Sequence, residues 1–284
     1  MKIGLVLSGG FAKGAYQIGA LRAIREYFEP GEIEYVSASS IGSFNSFIFS
    51  CDCIDEGEKM WLGITPDGGK KLVTRLIKSD YLKGIAAKLS REKLLSKKHY
   101  VSLFRLKKMD VSYIDVANME PDDISLRLQA AIALPVFTTG VKINGERFYD
   151  GGTVDNIPVY PLTQHDLDYI ICIYFDEYNY SFEDPTFDDK IIKITFDDDD
   201  KIMSNSIWVT KEGTENMISD GYIRAKYVLD LVFEGGTQDK EKVYEQIQKL
   251  NALYPDKQLR ITTEVAVHKL NKMMKTFSKR RIIE

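Results

Sequence analysis

The chain has 284 residues, with 38 Lys+Arg against 42 Asp+Glu, 44% hydrophobic residues, and only three each of Cys and His. A folded chain of this size buries about 75% of its unfolded surface, so a core needs no disulfides or metals. The composition excludes disorder, collagen and a disulfide scaffold, and Cys51, Cys53 and Cys172 read as inert thiols.

Ile3 to Leu7 is a short apolar run ending in Ser8-Gly9-Gly10, the pattern of a buried strand entering a tight turn. Helical spacing over Ala15 to Phe28 follows, stopped by Pro30-Gly31. Ile33 to Ala38 reads as a second strand and Ile41 to Phe49 as an apolar helix. Two strand–turn–helix units within fifty residues predict a parallel α/β sheet.

Residues 54–108 hold 14 Lys/Arg against 6 Asp/Glu, a local +8 beside −12 in the remainder. Leu72, Leu76, Ile77, Leu82, Ile85 and Leu89 among these lysines suggest basic amphipathic helices, either a solvated helical cap or a face for an anionic membrane. Pro121-Asp122-Asp123 opens a further helix through Leu134. Asn144-Gly145 marks a hairpin between Phe137–Ile143 and Arg147–Tyr149. Tyr169–Phe175 and Ile191–Phe196 are strands. The acidic stretches 176–189 and 197–200 read as solvated loops, since four consecutive Asp lack calcium-ligand spacing. Helices are expected over 204–234, about 239–253 and 261–279. The N-terminus lacks the features of an export signal and no window is apolar enough to span a bilayer, so a cytoplasmic location is expected. Secretion by a route without such a signal stays open.

Three segments carry chemistry. In Ala38-Ser39-Ser40-Ile41-Gly42 a strand delivers Ser40 to a turn between small residues, with a helix following at once. That is the form of a nucleophile elbow, which is crowded and places the hydroxyl near a helix N-terminus. In Ser8-Gly9-Gly10-Phe11-Ala12-Lys13-Gly14, glycines free backbone amides to converge on an anion. The loop lacks the endings of a nucleotide P-loop and of a dinucleotide loop, which leaves an oxyanion hole or a plain turn. In Asp150-Gly151-Gly152, Asp150 ends an apolar strand, where its carboxylate can face the sheet's edge. Asp155 reads as a turn residue.

Together these segments resemble the patatin-like phospholipases, whose pattern is a Gly-Gly-Gly-x-Lys/Arg-Gly loop, Gly-x-Ser-x-Gly, and Asp-Gly-Gly or Asp-Gly-Ala in that order. Gly14 to Leu21, Asn45, Ala133 to Phe137, Asp155 to Pro158 and Gly221-Tyr222 extend the likeness over residues 1 to about 235. The resemblance implies a three-layer α/β/α fold with a mainly parallel sheet and a catalytic domain over 1–235; the charge pattern places the basic helical cap 54–108 inside it, and the helical patterns beyond it read as an appendage over 236–284. The resemblance also implies Ser40 as nucleophile, Asp150 as general base, and the Gly9, Gly10 and Phe11 amides as the oxyanion hole. Lys13 would be the family's basic residue, with Gly14, Ala38, Gly42, Gly151 and Gly152 shaping the turns. Two positions depart from the pattern. Phe11 replaces a glycine, harmless at negative φ and strained otherwise, and Ala38 replaces the elbow's first glycine.

The histidines agree with a dyad. His99 lies in the basic segment, His268 near the end, and His165 just before a strand, at the sheet edge opposite the one that binds ligands. The activity implied is hydrolysis of fatty-acyl esters of phospholipids or similar lipids, without metal or organic cofactor and without a nucleic-acid partner. Residues 54–108 would meet the anionic surface. The alternatives are a small-ester or thioester hydrolase and a catalytically silent lipid-binding protein.

Overall fold

The computed structural model describes residues 1–29, 31–64, 80–135, 137–175, 189–196, 210–253 and 280–284. The first fifty residues alternate as expected: β1 (Ile3–Leu7), α1 (Gly14–Ile24), β2 (Tyr35–Ala38) and α2 (Gly42–Ser50). Next come α3 (Ile54–Ile64), α4 (Asp80–Leu89), β3 (Lys98–Arg105), β4 (Asp110–Asp115) and α5 (Pro121–Ala131). The hairpin β5 (Val141–Ile143) and β6 (Glu146–Asp150) precedes β7 (Tyr169–Tyr174) and β8 (Ile191–Thr195). The chain finishes with α6 (Lys211–Val232), α7 (Lys240–Leu253) and β9 (Arg280–Ile283).

These strands form one mixed, mostly parallel sheet in the order β5-β6-β3-β2-β1-β7-β8, with β4 on β3 and β9 beside β4. β1 is buried along its whole length, as a central parallel strand must be, and pairs with β2 and β7. One face packs under α1, α2, α3, α5 and α6. The other face, including Val6, Ile170 and Cys172, is covered by Val154, Ile157, Val159, Leu162 and Leu167 from the segment after β6. Gly19 of α1 and Gly221 of α6 let those helices meet backbone to backbone. A Cβ on Gly19 would lie 1.8 Å from the Ile218 carbonyl oxygen, and one on Gly221 lies 2.0 Å from that of Tyr16.

Two expectations are corrected. The basic segment 54–108 is not helical throughout, because its last part is β3, a strand inside the sheet. The apolar run Tyr100 to Phe104 is buried, while lysines at 97–98 and 107–108 flank it and mask it in any charge count. Nor do the described residues of 236–284 stand apart as a helical appendage. Val243 and Ile247 of α7 are buried in the main core, and β9 pairs in parallel with β4. The strand expected from Phe137 begins only at Val141, after a turn through Gly140 at φ +71° that leaves Phe137 exposed. The expected helices at 65–79, 204–209 and 261–279, the acidic stretches 176–188 and 197–200, and His268 lie outside the described residues.

Candidate active site

Strand register brings the three motifs to one point. β2 ends at Ala38, level with Leu7 of β1 and Val101 of β3. Beyond Val101 the β2 edge of β3 becomes vacant, and β6 enters it from the opposite direction, pairing Leu103 with Asp150. Because β4 occupies the other edge of β3, Ser40 and Asp150 face each other across the point where one strand replaces the other. Gly9, two residues past Leu7, reaches the same level from the β1 side. All three stand at the carboxyl ends of the parallel strands, where open α/β sheets bind ligands.

The elbow is strained where the chain turns. Ser40 has φ +51°, a left-handed conformation that costs a non-glycine residue about 1–3 kcal/mol and persists only where its surroundings impose it. What imposes it is the close fit of α2 against the end of β1. A Cβ on Gly42 would meet the Ser8 carbonyl oxygen at 2.5 Å, and one on Gly9 would meet Ser40 Cβ at 2.6 Å. Ala38, by contrast, fits as a fully buried strand residue, so its extra methyl is accommodated. Ser40 immediately precedes the N-terminal turn of α2, whose partial positive charge favours a developing anion there.

Asp150 is 2% exposed and accepts the Gly152 N–H at 2.8 Å. Burial is the dominant influence on its carboxyl and raises its pKa from 3.8 to about 7. Hydrogen bonds from the Ser40 side chain and the Gly152 amide pull the other way. The two side chains share a cleft with Phe11, Ile41, Leu82, Ile132 and Leu134, so the carboxylate is surrounded largely by hydrocarbon. Leu82 comes from α4, so the basic segment contributes one wall.

The glycine loop is held by a clasp that sequence reasoning missed. The Gly9 N–H donates to Ser39 Oγ at 3.0 Å and to Asn156 Oδ1 at 3.1 Å, while Asn156 Nδ2 donates to the Gly9 carbonyl at 3.1 Å. Ser39 Oγ in turn donates to the Asn156 carbonyl at 2.7 Å. The Gly9 amide is therefore already engaged and does not point free into the site, contrary to expectation. The Gly10 and Phe11 amides have no hydrogen-bond partner among the described residues. Phe11 has φ +49°, the strained of the two cases its sequence left open. Lys13 closes the 3₁₀ turn Phe11–Lys13 and is half-buried.

Behind the loop, buried Asn45 donates to the Gly14 carbonyl and to Gln17 Oε1, both at 2.8 Å, and accepts from Trp61 Nε1 at 3.0 Å. Gln17 donates to the Ser8 carbonyl at 2.8 Å. Asp155 is buried and accepts from the Tyr113 hydroxyl, so it anchors the structure beside its turn. Gly151 presses on β3, where a Cβ would meet Ser102 Oγ at 2.1 Å. His99 is fully buried in β3 against Ser46, and burial takes its pKa down to about 3. His165 contacts Tyr100 and Tyr35 near the amino ends of the strands. Neither histidine reaches the cleft. The described residues contain no cluster of His, Cys, Asp and Glu suited to a metal.

A family model for patatin-like phospholipases matches residues 5–163, more than half of the chain and all three motifs. The chain belongs to the patatin-like phospholipase family. Membership of that family supports lipid acyl hydrolysis as its general class of activity. Among solved structures, that of VipD from Legionella pneumophila matches at 14% identity, over 89% of this chain and 75% of VipD, with a TM-score of 0.51, which indicates a shared fold. The type III effector ExoU matches at 14% identity over 88% of this chain and 60% of ExoU, with a TM-score of 0.42. ExoU in its heterodimeric complex with SpcU, from the type III secretion system of Pseudomonas aeruginosa, gives 0.39. No curated protein sequence gives a match. No helix among the described residues of this patatin-like chain is long and apolar enough to cross a membrane.

Proposed function

We propose that this patatin-like chain hydrolyses fatty-acyl esters of lipids through a Ser40–Asp150 dyad. The observation that carries the reading is a strained serine sharing one cleft with a buried carboxylate whose pKa stands near 7. An ordinary carboxylate is too weak a base for a serine hydroxyl, and one near neutrality is matched to the task. Asp150 accepts the Ser40 proton as Oγ attacks the ester carbonyl. The Gly10 and Phe11 amides stabilise the oxyanion, each worth about 3–4 kcal/mol in comparable sites. Asp150 returns the proton to the leaving alkoxide, leaving acyl-Ser40. Water, deprotonated by Asp150, then attacks the acyl carbon, and the fatty acid departs as Ser40 regains its proton.

Ser40→Ala and Asp150→Asn are each expected to abolish hydrolysis of a phospholipid panel with the fold retained by circular dichroism. Wild-type turnover by folded Ser40→Ala would sink the dyad. A catalytically silent lipid binder is the reading favoured by the strained Phe11, and a fluorophosphonate probe separates the two because a silent pocket leaves Ser40 unlabelled.

The exposed side of α4 and the residues after it present Lys83, Lys88, Arg91 and Lys93 beside Tyr81, which is 43% exposed. With Leu82 on its inner side lining the cleft, this face is the proposed contact with anionic phospholipid, narrowed from the whole of 54–108. Co-sedimentation should favour anionic over neutral vesicles at low salt, and indifference to charge would remove the contact.

A further inference from the structure

Phe11 stands where the patatin-like pattern has a glycine, and it places a ring rather than a hydrogen atom against the reacting groups. Its backbone lies in the left-handed region, and the turn it opens is closed by the Lys13 N–H donating to the Gly10 carbonyl at 3.0 Å. Its side chain shares the cleft with Ser40, Asp150, Ile41, Leu82 and Leu134. The free volume there is about 20 Å³, room for roughly one water. That suffices for the hydrolytic water and not for an acyl chain. The cleft opens outward beyond that volume, so a chain seats in its enclosed part only by displacing a wall.

The walls differ in how easily they move. Ile41, Leu82 and Leu134 are 3%, 1% and 6% exposed, and shifting them opens the close-packed core. Phe11 is half-buried on a loop, so its ring can rotate without a void forming behind it. Gly10 cannot take up the movement, since any Cβ there would sit 2.3 Å from the Phe175 ring and the segment is wedged.

We propose that the Phe11 ring is the residue that sets acyl-chain selectivity, filling the space that the first methylenes of a long chain require and yielding only at a cost that short chains escape. The proposal rests on the acyl-hydrolase reading above. It also assigns the chain's main departure from the family pattern a role in choosing substrate rather than in silencing the site.

The test compares Phe11→Ala, which removes the ring and keeps a side chain at positive φ, with Phe11→Gly, which removes the ring and relieves the backbone. Hydrolysis of monomeric butyryl and dodecanoyl esters is measured for wild type and both variants. The dodecanoyl-to-butyryl ratio of kcat/KM is expected to rise by about tenfold in both, the scale on which apolar pockets discriminate chain length. The change should appear mainly in KM for the long ester. A ratio unchanged in both variants overturns the proposal. A rise in Phe11→Gly alone also overturns it, because the backbone and not the ring would then be responsible. Fluorophosphonate labelling of Ser40 in the same samples keeps the two readings apart. Labelling with an unmoved ratio removes only the selectivity role, whereas absence of both labelling and hydrolysis in all three proteins removes the dyad and the selectivity role with it.

Discussion

Asp150→Asn should change the pH dependence of stability as well as activity. In the folded chain the Asp150 carboxyl holds its proton up to about pH 7, against 3.8 for the ordinary group. Between those values the native state binds more protons than the unfolded state, so stability falls as pH rises. The contribution is fully present below about pH 4 and lost as pH climbs through about 7. A displacement of about three units corresponds to about 4 kcal/mol, and burial at 2% exposure leaves little solvent to screen it. About one of those units lies below pH 5, so about 3 kcal/mol should be lost between pH 5 and pH 8. Asn cannot ionise and is close to isosteric. The stability of Asp150→Asn relative to wild type should therefore improve by about 3 kcal/mol over that interval, read from urea unfolding at the two pH values. Buried His99 works in the opposite sense, losing stability as pH falls, but it is common to both proteins and cancels in the difference. A difference constant to within about 0.5 kcal/mol would show that Asp150 ionises like an ordinary carboxylate and would refute the reasoning. In wild type, the ascending limb of kcat/KM should then have its midpoint near the same pH of about 7.

Ser40→Gly should raise stability by about 1 kcal/mol, because glycine occupies φ +51° without strain, while losing all fluorophosphonate labelling. A variant no more stable than wild type in urea would contradict the strained elbow. Asn156→Ala removes the acceptor and donor that clasp Gly9, and should lower kcat by about a hundredfold through misplacement of the neighbouring amides, with the protein still folded. Undiminished turnover would show that the loop holds its shape without the clasp. Gly19→Ala forces a methyl against the Ile218 carbonyl and should cost about 3 kcal/mol in urea unfolding. An unchanged midpoint would mean that α1 and α6 do not meet as closely as described.

The readable parts of this chain were those in which cause and effect lie close together in sequence. A strand, a small-residue turn and a helix within Tyr35 to Ser50 specify the elbow locally, and the same holds for Ile3 to Ile24. β3 escaped notice because a buried run of five residues, Tyr100 to Phe104, sits inside a segment whose lysines dominate its composition. β9 escaped because four residues reading Arg-Arg-Ile-Ile show strand character only once β4 offers them an edge. Asn156 was visible as one residue in a family-like run, but nothing in its neighbours says that it bonds to Gly9, 147 positions away.

The sequence by itself determined the chemical inventory: a serine at an elbow, an acidic residue closing a strand, a glycine loop, and a phenylalanine where glycine is usual. Local backbone sterics and apolar periodicity are enough for that, because each motif is contained within a few residues. Only the tertiary structure decided that β6 takes over the edge of β3 where β2 ends, which sets Asp150 beside Ser40 and buries it enough to raise its pKa to about 7. It likewise decided that the Gly9 amide is occupied while those of Gly10 and Phe11 have no partner among the described residues, and that Phe11 lies in the left-handed region. Register, desolvation and hydrogen-bond competition arise between distant segments, and no local pattern encodes them.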